Sequence, residues 1–213
     1  MPKKMKNGCF VSGIGTNVGK TFVSAGLMMA SNANYFKPLQ TGAPDDLDRD
    51  TIQQLTDLPP SRFLPEWNAF KAPLSPHRAA FLEGKKLDLD DVQIPEMHNP
   101  LIVEGAGGLL VPLNPRQTML DLIQRFKLPV LLVSTDYLGS INHTLLSIQC
   151  LKQAQIQIAG LVFTGKPFED NEDIIAQFHP DLQIWPRLNH LDFPFKNGLT
   201  QWASSIQPFL ADL

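Results

Sequence analysis

"SGIGTNVGKT", residues 12–21, sets Gly13, Gly15, Gly19, Thr16 and Thr21 around Lys20, directly after the short apolar run "CFV" at 9–11. That run reads as the end of a strand, whereas "KTFVSAGLMMAS" beyond it is apolar at Phe22, Leu27 and Ala30, a helical spacing. A loop between strand and helix points the first-turn N–H groups one way, and its glycines let an anion approach with no Cβ between. In that setting Lys20 reaches the β- and γ-phosphates of a nucleotide and the Thr21 hydroxyl coordinates Mg²⁺. The spacing is Gly13-x₅-Gly19-Lys20-Thr21, one residue longer than G-x-x-x-x-G-K-[ST], whose first glycine would fall on Ile14. An ordinary glycine-rich turn capping a helix is the alternative. The strand before, the helix after and the G-K-T ending favour a phosphate loop.

The 213 residues suffice for one substantial core, and no low-complexity stretch marks a linker, so residues 1–213 are expected to form one domain. A hydrophobic content of 43% against 18% charged residues describes a soluble globular chain. No apolar run approaches the roughly 18 residues of a membrane helix. The start, "MPKKMKNGCFVSG", carries a positive flank, but Ser12 and Gly13 interrupt its apolar stretch. A signal peptide is therefore not expected, and the protein is assigned to the cytosol. A net charge of −3 with dispersed basic residues gives no footprint for nucleic acid or an acidic membrane, which leaves small molecules as partners. Cys9 and Cys150 fall in a strand and a helix, as reduced buried thiols do.

Strand patterns at 8–11, 35–37, 101–104, 130–134 and 158–163 alternate with helical patterns at 51–55, 77–82, 119–126, 141–151 and 199–210. Unbroken apolar runs such as "PVLLV" suit strands covered on both faces. The alternation predicts an α/β fold, a doubly wound, mostly parallel sheet with helices on both faces. Ligands of such sheets gather at the carboxyl ends of the strands.

Three polar stretches fall at strand ends. "YFKPLQTG" places Lys37 beside the loop, held extended by Pro38. "DRDTIQQL" opens a helix with Asp48 and Asp50, and "LIVEGAGG" ends a buried strand with Glu104. Mg²⁺ on a nucleotide takes one or two carboxylates with phosphate oxygens and water, and Thr21, Asp50 and Glu104 could supply the protein's share. Taken singly, Lys37 reads as a solvated charge and either aspartate as a first-turn acid complementing the helix dipole. Glu104 is harder to treat so, because a buried unpaired carboxylate is costly and calls for a cation. "APLSPHRAAFLEG" starts a helix at Ser75 and Pro76, with His77 read as packing or surface. "DYLGSINHTLL" offers the N–H groups of Gly139, Ser140, Ile141 and Asn142 at a helix start, a place for a second anion or simply a turn at Gly139. The histidines His98, His143, His179 and His190 share no metal-like spacing, and no G-x-S-x-G elbow is present, which sets aside zinc sites and hydrolase triads.

In order, "GTNVGKT", "FKPLQTG", "DRDTIQQL", "PLSPH", "VEGAGG", "LGSINH" and "AGLV" resemble the dethiobiotin synthetase family over about residues 10–188. The resemblance implies a P-loop NTPase-like fold and a homodimer with the substrate site at the subunit interface. It also implies ATP as co-substrate, Mg²⁺ as cofactor, and 7,8-diaminopelargonic acid with CO₂ or bicarbonate as partners. The implied products are dethiobiotin, ADP and phosphate. Residue by residue it assigns Lys20 and Lys37 to catalysis, and Thr21, Asp50 and Glu104 to the metal. Asn17, Val18, Gly19, Lys20, Thr21, Phe22, Asp50, Glu104, Gly105, Ala106, Gly107, Thr164, Pro186, Arg187 and Leu188 would contact nucleotide. Thr41 would contact substrate, and Gly139, Ser140, Ile141 and Asn142 would cradle its carboxylate from the neighbouring subunit.

The chain departs from the family pattern at some of these places. Asn17 stands where relatives often carry glutamate, and Thr164 replaces an asparagine that reads the adenine base. Only Tyr35 and Tyr137 occur, so a tyrosine that relatives place late in the chain, near the substrate carboxylate, is missing. A nucleotide-driven partitioning ATPase is the rival class. Such proteins usually add a lysine early in the loop, and residues 12–17 contain none.

Overall fold

A computed structural model describes residues 7–45, 47–94, 98–168, 170–189 and 195–213. The first six residues, which supply the positive N-terminal flank, and His190 lie outside these.

Five strands build the central sheet: β1 (Gly8–Gly13), β2 (Asn34–Phe36), β5 (Leu101–Gly108), β6 (Val130–Thr135) and β7 (Ile158–Thr164). Their order is β2-β5-β1-β6-β7, and every neighbouring pair is parallel. Two three-residue strands, β3 (Leu39–Thr41) and β4 (Asn68–Phe70), pair in parallel beside it. Strands this short, each with only one or two apolar residues, leave no periodic pattern in the sequence.

Successive side chains of a strand point to opposite faces, and both faces here are buried. Cys9, Val11, Ile102, Leu131, Val133 and Val162 enter one core cluster, while Phe10, Val103, Leu132, Leu161 and Phe163 enter the other. The first cluster is covered by α1 (Lys20–Ala30), α2 (Asp48–Thr56) and α7 (Phe195–Ser205). The second lies under α3 (Pro76–Leu82), α4 (Met119–Phe126), α5 (Ser140–Gln153) and α6 (Asn171–Phe178). The doubly wound parallel sheet expected from the alternation is thus what forms. Gly26 lets α1 and α7 meet closely, since a Cβ there would stand 2.4 Å from the Trp202 ring.

Several boundaries differ from the sequence reading, α2 starting at Asp48 rather than 51 and β2 ending at Phe36 rather than 37, and α6 has no counterpart in it; two differences have a plain physical cause. The helix expected over 199–210 ends at Ser205 and gives way to a 3₁₀ turn, Gln207–Asp212. Pro208 has no N–H for an α-helical bond and forces the change. The strand expected to stop at Glu104 runs on to Gly108, because pairing with β1 continues through the glycines with a register shift between Val11 and Gly13. Glu104 is therefore inside β5, two residues beyond Ile102 and on the same face, under α1. No described helix is long and apolar enough to cross a membrane.

Candidate active site

Between Gly13 and Lys20 the chain wraps into a loop with Asn17 at φ 58° and Gly19 at φ 88°. Gly19 accepts that left-handed conformation without penalty, and a Cβ there would also press to 3.0 Å on Thr164. α1 then starts at Lys20 with no side-chain cap, leaving the positive end of its dipole facing the loop. Lys20 folds back to donate from Nζ to the Gly15 carbonyl at 2.8 Å.

The loop forms one wall of a cavity of about 700 Å³ at the carboxyl edge of the sheet. Thr16, Asn17, Gly19, Lys20, Thr21 and Phe22 line it from the loop side, Lys37 and Glu104 from the sheet side, and Asp48 from the start of α2. Thr41, Ala106 and Gly107 also reach it, as do Gln40 and the start of α3 at Ser75 and Pro76. A sequence spread over some hundred residues thus converges on one space.

The polar groups in it are tightly linked. Thr21 Oγ1 lies 2.7 Å from Asp48 Oδ1 and 3.0 Å from Glu104 Oε1. Lys37 Nζ ion-pairs with Asp48 and stands 3.2 Å from Glu104 Oε1. Burial works against the Lys37 charge, but Glu104 and Asp48 outweigh it and raise the ammonium above its ordinary value. Burial likewise pushes the Asp48 carboxyl up, yet Lys37 and the Thr21 hydroxyl together hold it below the usual range. Lys20 differs: burial brings it down to about 8, with Glu104 and Asp48 pulling upward and Lys37 adding repulsion. An anion beside Lys20 would relieve that penalty.

Hard oxygen donors such as these fit Mg²⁺. Asp48 Oδ1 and Glu104 Oε1 both converge on Thr21 Oγ1, at 2.7 and 3.0 Å, so a hydroxyl and two carboxylate oxygens meet at one point, the kind of donor set that Mg²⁺ takes from a protein. Among the described residues no group of three or more His, Cys, Asp or Glu side chains gathers into a metal site, which leaves the remaining ligands to phosphate oxygens and water, the habit of Mg²⁺.

Of the carboxylates expected here, Asp50 is elsewhere. Its side chain is 51% exposed and pairs with Arg49 at 3.2 Å. Residues two apart on an α-helix point about 200° apart, so only one of Asp48 and Asp50 can face Thr21. Ile52 decides which: it is fully buried one turn beyond Asp48 and turns that face of α2 inward. The four-residue spacing of Asp48 and Ile52 was the readable signal.

Several residues assigned to nucleotide sit off the cavity. Val18 is buried, and its carbonyl accepts from Thr164 Oγ1 at 2.8 Å. Thr164 is thus a prop beneath the loop, fully enclosed, rather than a group over the cavity. Gly105 turns to the opposite face, where a Cβ would meet Phe10 at 3.0 Å. Pro186 accepts from the Trp202 indole, and Leu188 is buried and bridged to Thr164. Arg187 donates to the carbonyls of Thr164 and Gly165 and to Asp136 Oδ2 at 2.7 Å, and also pairs with Glu172. Its guanidinium ties three chain segments together. Gly139, Ser140, Ile141 and Asn142 form the start of α5 away from this cavity, beside Leu138, which is 95% exposed.

A parallel sheet whose first strand feeds a phosphate-type loop, with lysines and carboxylates at its carboxyl edge, defines the class: a P-loop NTPase-like protein. Solved structures agree at the level of fold. A ParA family ATPase from Chlorobium tepidum TLS superposes with TM-score 0.51 at 11% identity, covering 97% of this chain and 96% of that one. The cell division ATPase MinD of Pyrococcus furiosus gives 0.51 at 16%, covering 96% and 98%. A family model described as an AAA domain matches residues 7–192. An ATP-dependent dethiobiotin synthetase of Rhodopseudomonas palustris (strain BisB18) is 41% identical over 184 residues, 85% of this chain and 88% of its own. Another, of Lawsonia intracellularis (strain PHE/MN1-00), is 44% identical over 204 residues, 96% of each. The chain belongs to the ATP-dependent dethiobiotin synthetase family and is, by that membership, an ATP-dependent enzyme of biotin biosynthesis.

Proposed function

We propose that the chain, acting as one domain over residues 1–213, uses ATP and Mg²⁺ to carboxylate 7,8-diaminopelargonic acid with CO₂ and close the ureido ring of dethiobiotin. The observation that carries this is the meeting of Lys20, Thr21, Lys37, Asp48 and Glu104 around one cavity in a member of this family.

One substrate amine attacks CO₂ and sheds a proton, giving a carbamate. The carbamate oxygen attacks the γ-phosphorus of ATP and ADP leaves. The second amine then attacks the carbonyl of the mixed carbamic-phosphoric anhydride and loses a proton, expelling phosphate as the ring closes. Lys20 exchanges its Gly15 contact for phosphate oxygens. Lys37, kept protonated by Asp48 and Glu104, is a fixed positive charge beside the transferring group. Such preorganised charge and positioning supply most of what phosphoryl transfer asks of a protein. Thr21, Asp48 and Glu104 would hold Mg²⁺, with Asp48 in the place first given to Asp50. When bound, that ion supplies charge neutralisation on the phosphate oxygens.

Thr41, at the cavity wall, is suited to the diamine end of the substrate. The start of α5 lies outside the cavity, so its N–H groups would serve the neighbouring subunit of a homodimer, and exposed Leu138 and Leu146 beside it favour such an interface. ATP turnover with and without the diamine and bicarbonate tests the proposal: hydrolysis should require both. A steady rate indifferent to them would instead identify a switch-type ATPase.

A further inference from the structure

Glu104 is 1% exposed, and its two oxygens have different company. Oε1 meets Thr21 and Lys37, the groups that face the cavity. Oε2 accepts from Ser24 Oγ at 2.8 Å and from Tyr35 Oη at 3.0 Å. Both donors are fully buried, and neither touches the cavity. They come from different elements, Ser24 from the second turn of α1 and Tyr35 from the middle of β2, which pairs with β5.

A glutamate carboxylate is a soft rotor about its last torsion, so an unheld Glu104 could present either oxygen or neither. Two neutral donors from two separate elements on one oxygen hold the orientation of the group. The Tyr35 phenol has its hydroxyl on Glu104 Oε2. Its ring is separately held edge-on against Phe63 at 6.0 Å, so loss of the hydroxyl alone leaves the packing intact.

We propose that Ser24 and Tyr35 form a clamp that turns Glu104 Oε1 towards the divalent cation carried by the nucleotide, which makes both of them positioning residues. The inference rests on the reading of Glu104 as a metal ligand. A purely structural role, satisfying buried hydroxyls, would alter stability and metal-free nucleotide binding alike. A clamp acts on the metal-dependent increment.

The test is calorimetric titration of the whole chain with ADP, in EDTA and in Mn²⁺, for wild type, Tyr35→Phe, Ser24→Ala and Glu104→Gln. The ratio of the two affinities should fall about 10-fold or more in Tyr35→Phe, the usual effect of losing an outer partner of a metal ligand. Affinity in EDTA should stay within about twofold of wild type, because ring packing and loop are untouched. Ser24→Ala should act in the same direction, which keeps the test open if Tyr35→Phe fails to fold. The paramagnetic spectrum of bound Mn²⁺ should broaden in both, as an unheld ligand samples several orientations. Should Glu104→Gln abolish the increment while Tyr35→Phe and Ser24→Ala keep it, or should both affinities fall together, the clamp is wrong and the metal reading stands. Should wild type show no increment, the metal reading falls and takes the clamp with it.

Discussion

Lys37→Ala removes the one cation that touches both Asp48 and Glu104 in the described cavity. Truncating one member of a buried ion pair typically costs about 3–5 kcal/mol, because the partner stays buried without compensation. Glu104 is 1% exposed and Asp48 23%, so water can reach one of the two carboxylates and the lower end, about 3 kcal/mol, applies. For a chain of this size that is a fall in Tm of about 6–12 °C, measured by thermal unfolding in EDTA near neutral pH. The pH dependence has a defined sign. Asp48 is held below its ordinary 3.8, so its share of stability is present above that value and is lost as pH falls through the lower folded one. Lys37 is raised above 10.5, so its share is present below that value and is lost as pH rises through the higher folded one. The gap between wild type and variant should be widest between 3.8 and 10.5 and close towards both ends. Mg²⁺ should restore more stability to the variant than to wild type, since a cation again faces the carboxylates. Turnover should drop about 10²- to 10³-fold, as when one charge-stabilising donor is lost. A Tm change under about 2 °C, with no acid or alkaline closing of the gap, would refute this reading of the Lys37 contacts.

Lys20, at about 8 in the free protein, must be charged to hold phosphates, so ATP affinity should be flat below that pH and weaken as pH rises through it. Calorimetry in buffers of differing ionisation enthalpy should register proton uptake on binding above pH 8, and Lys20→Met should abolish it. Asp48→Asn should raise the Mg²⁺ requirement in steady-state turnover at least about 10-fold, while Asp50→Asn changes it less than about twofold, as expected of an exposed surface pair; the reverse pattern would return the ligand role to Asp50. Arg187→Met leaves Asp136, 2% exposed, without its cation and should cost about 3–5 kcal/mol in urea unfolding. The ratio of ATP to GTP turnover should stay as in wild type, because the guanidinium is engaged within the protein.

Much of this was legible in the sequence because it rests on local chemistry. "PVLLV" and "LIV" suit strands covered on both faces, and G-K-T between strand and helix placed the phosphate loop. Lys37 and Glu104 were found because each stands where an apolar run meets polar residues. What escaped needed the third dimension. Asp48 and Asp50 look alike in "DRDTIQQL" until the burial of Ile52 sets which face of α2 turns inward. Ser24 and Tyr35 carry no motif, since a hydroxyl in an apolar run becomes a partner of Glu104 only when α1 and β2 close over β5. Thr164 and Arg187 are nucleotide contacts only by the family resemblance, whereas their hydrogen bonds face the loop and neighbouring segments.

The most direct test is the product itself. Purified chain with ATP, Mg²⁺, isotopically labelled bicarbonate and 7,8-diaminopelargonic acid should yield dethiobiotin carrying the label, seen by mass spectrometry, with one ADP per product. Unlabelled or absent product, alongside ATP hydrolysis that proceeds without the diamine, would contradict the proposed reaction.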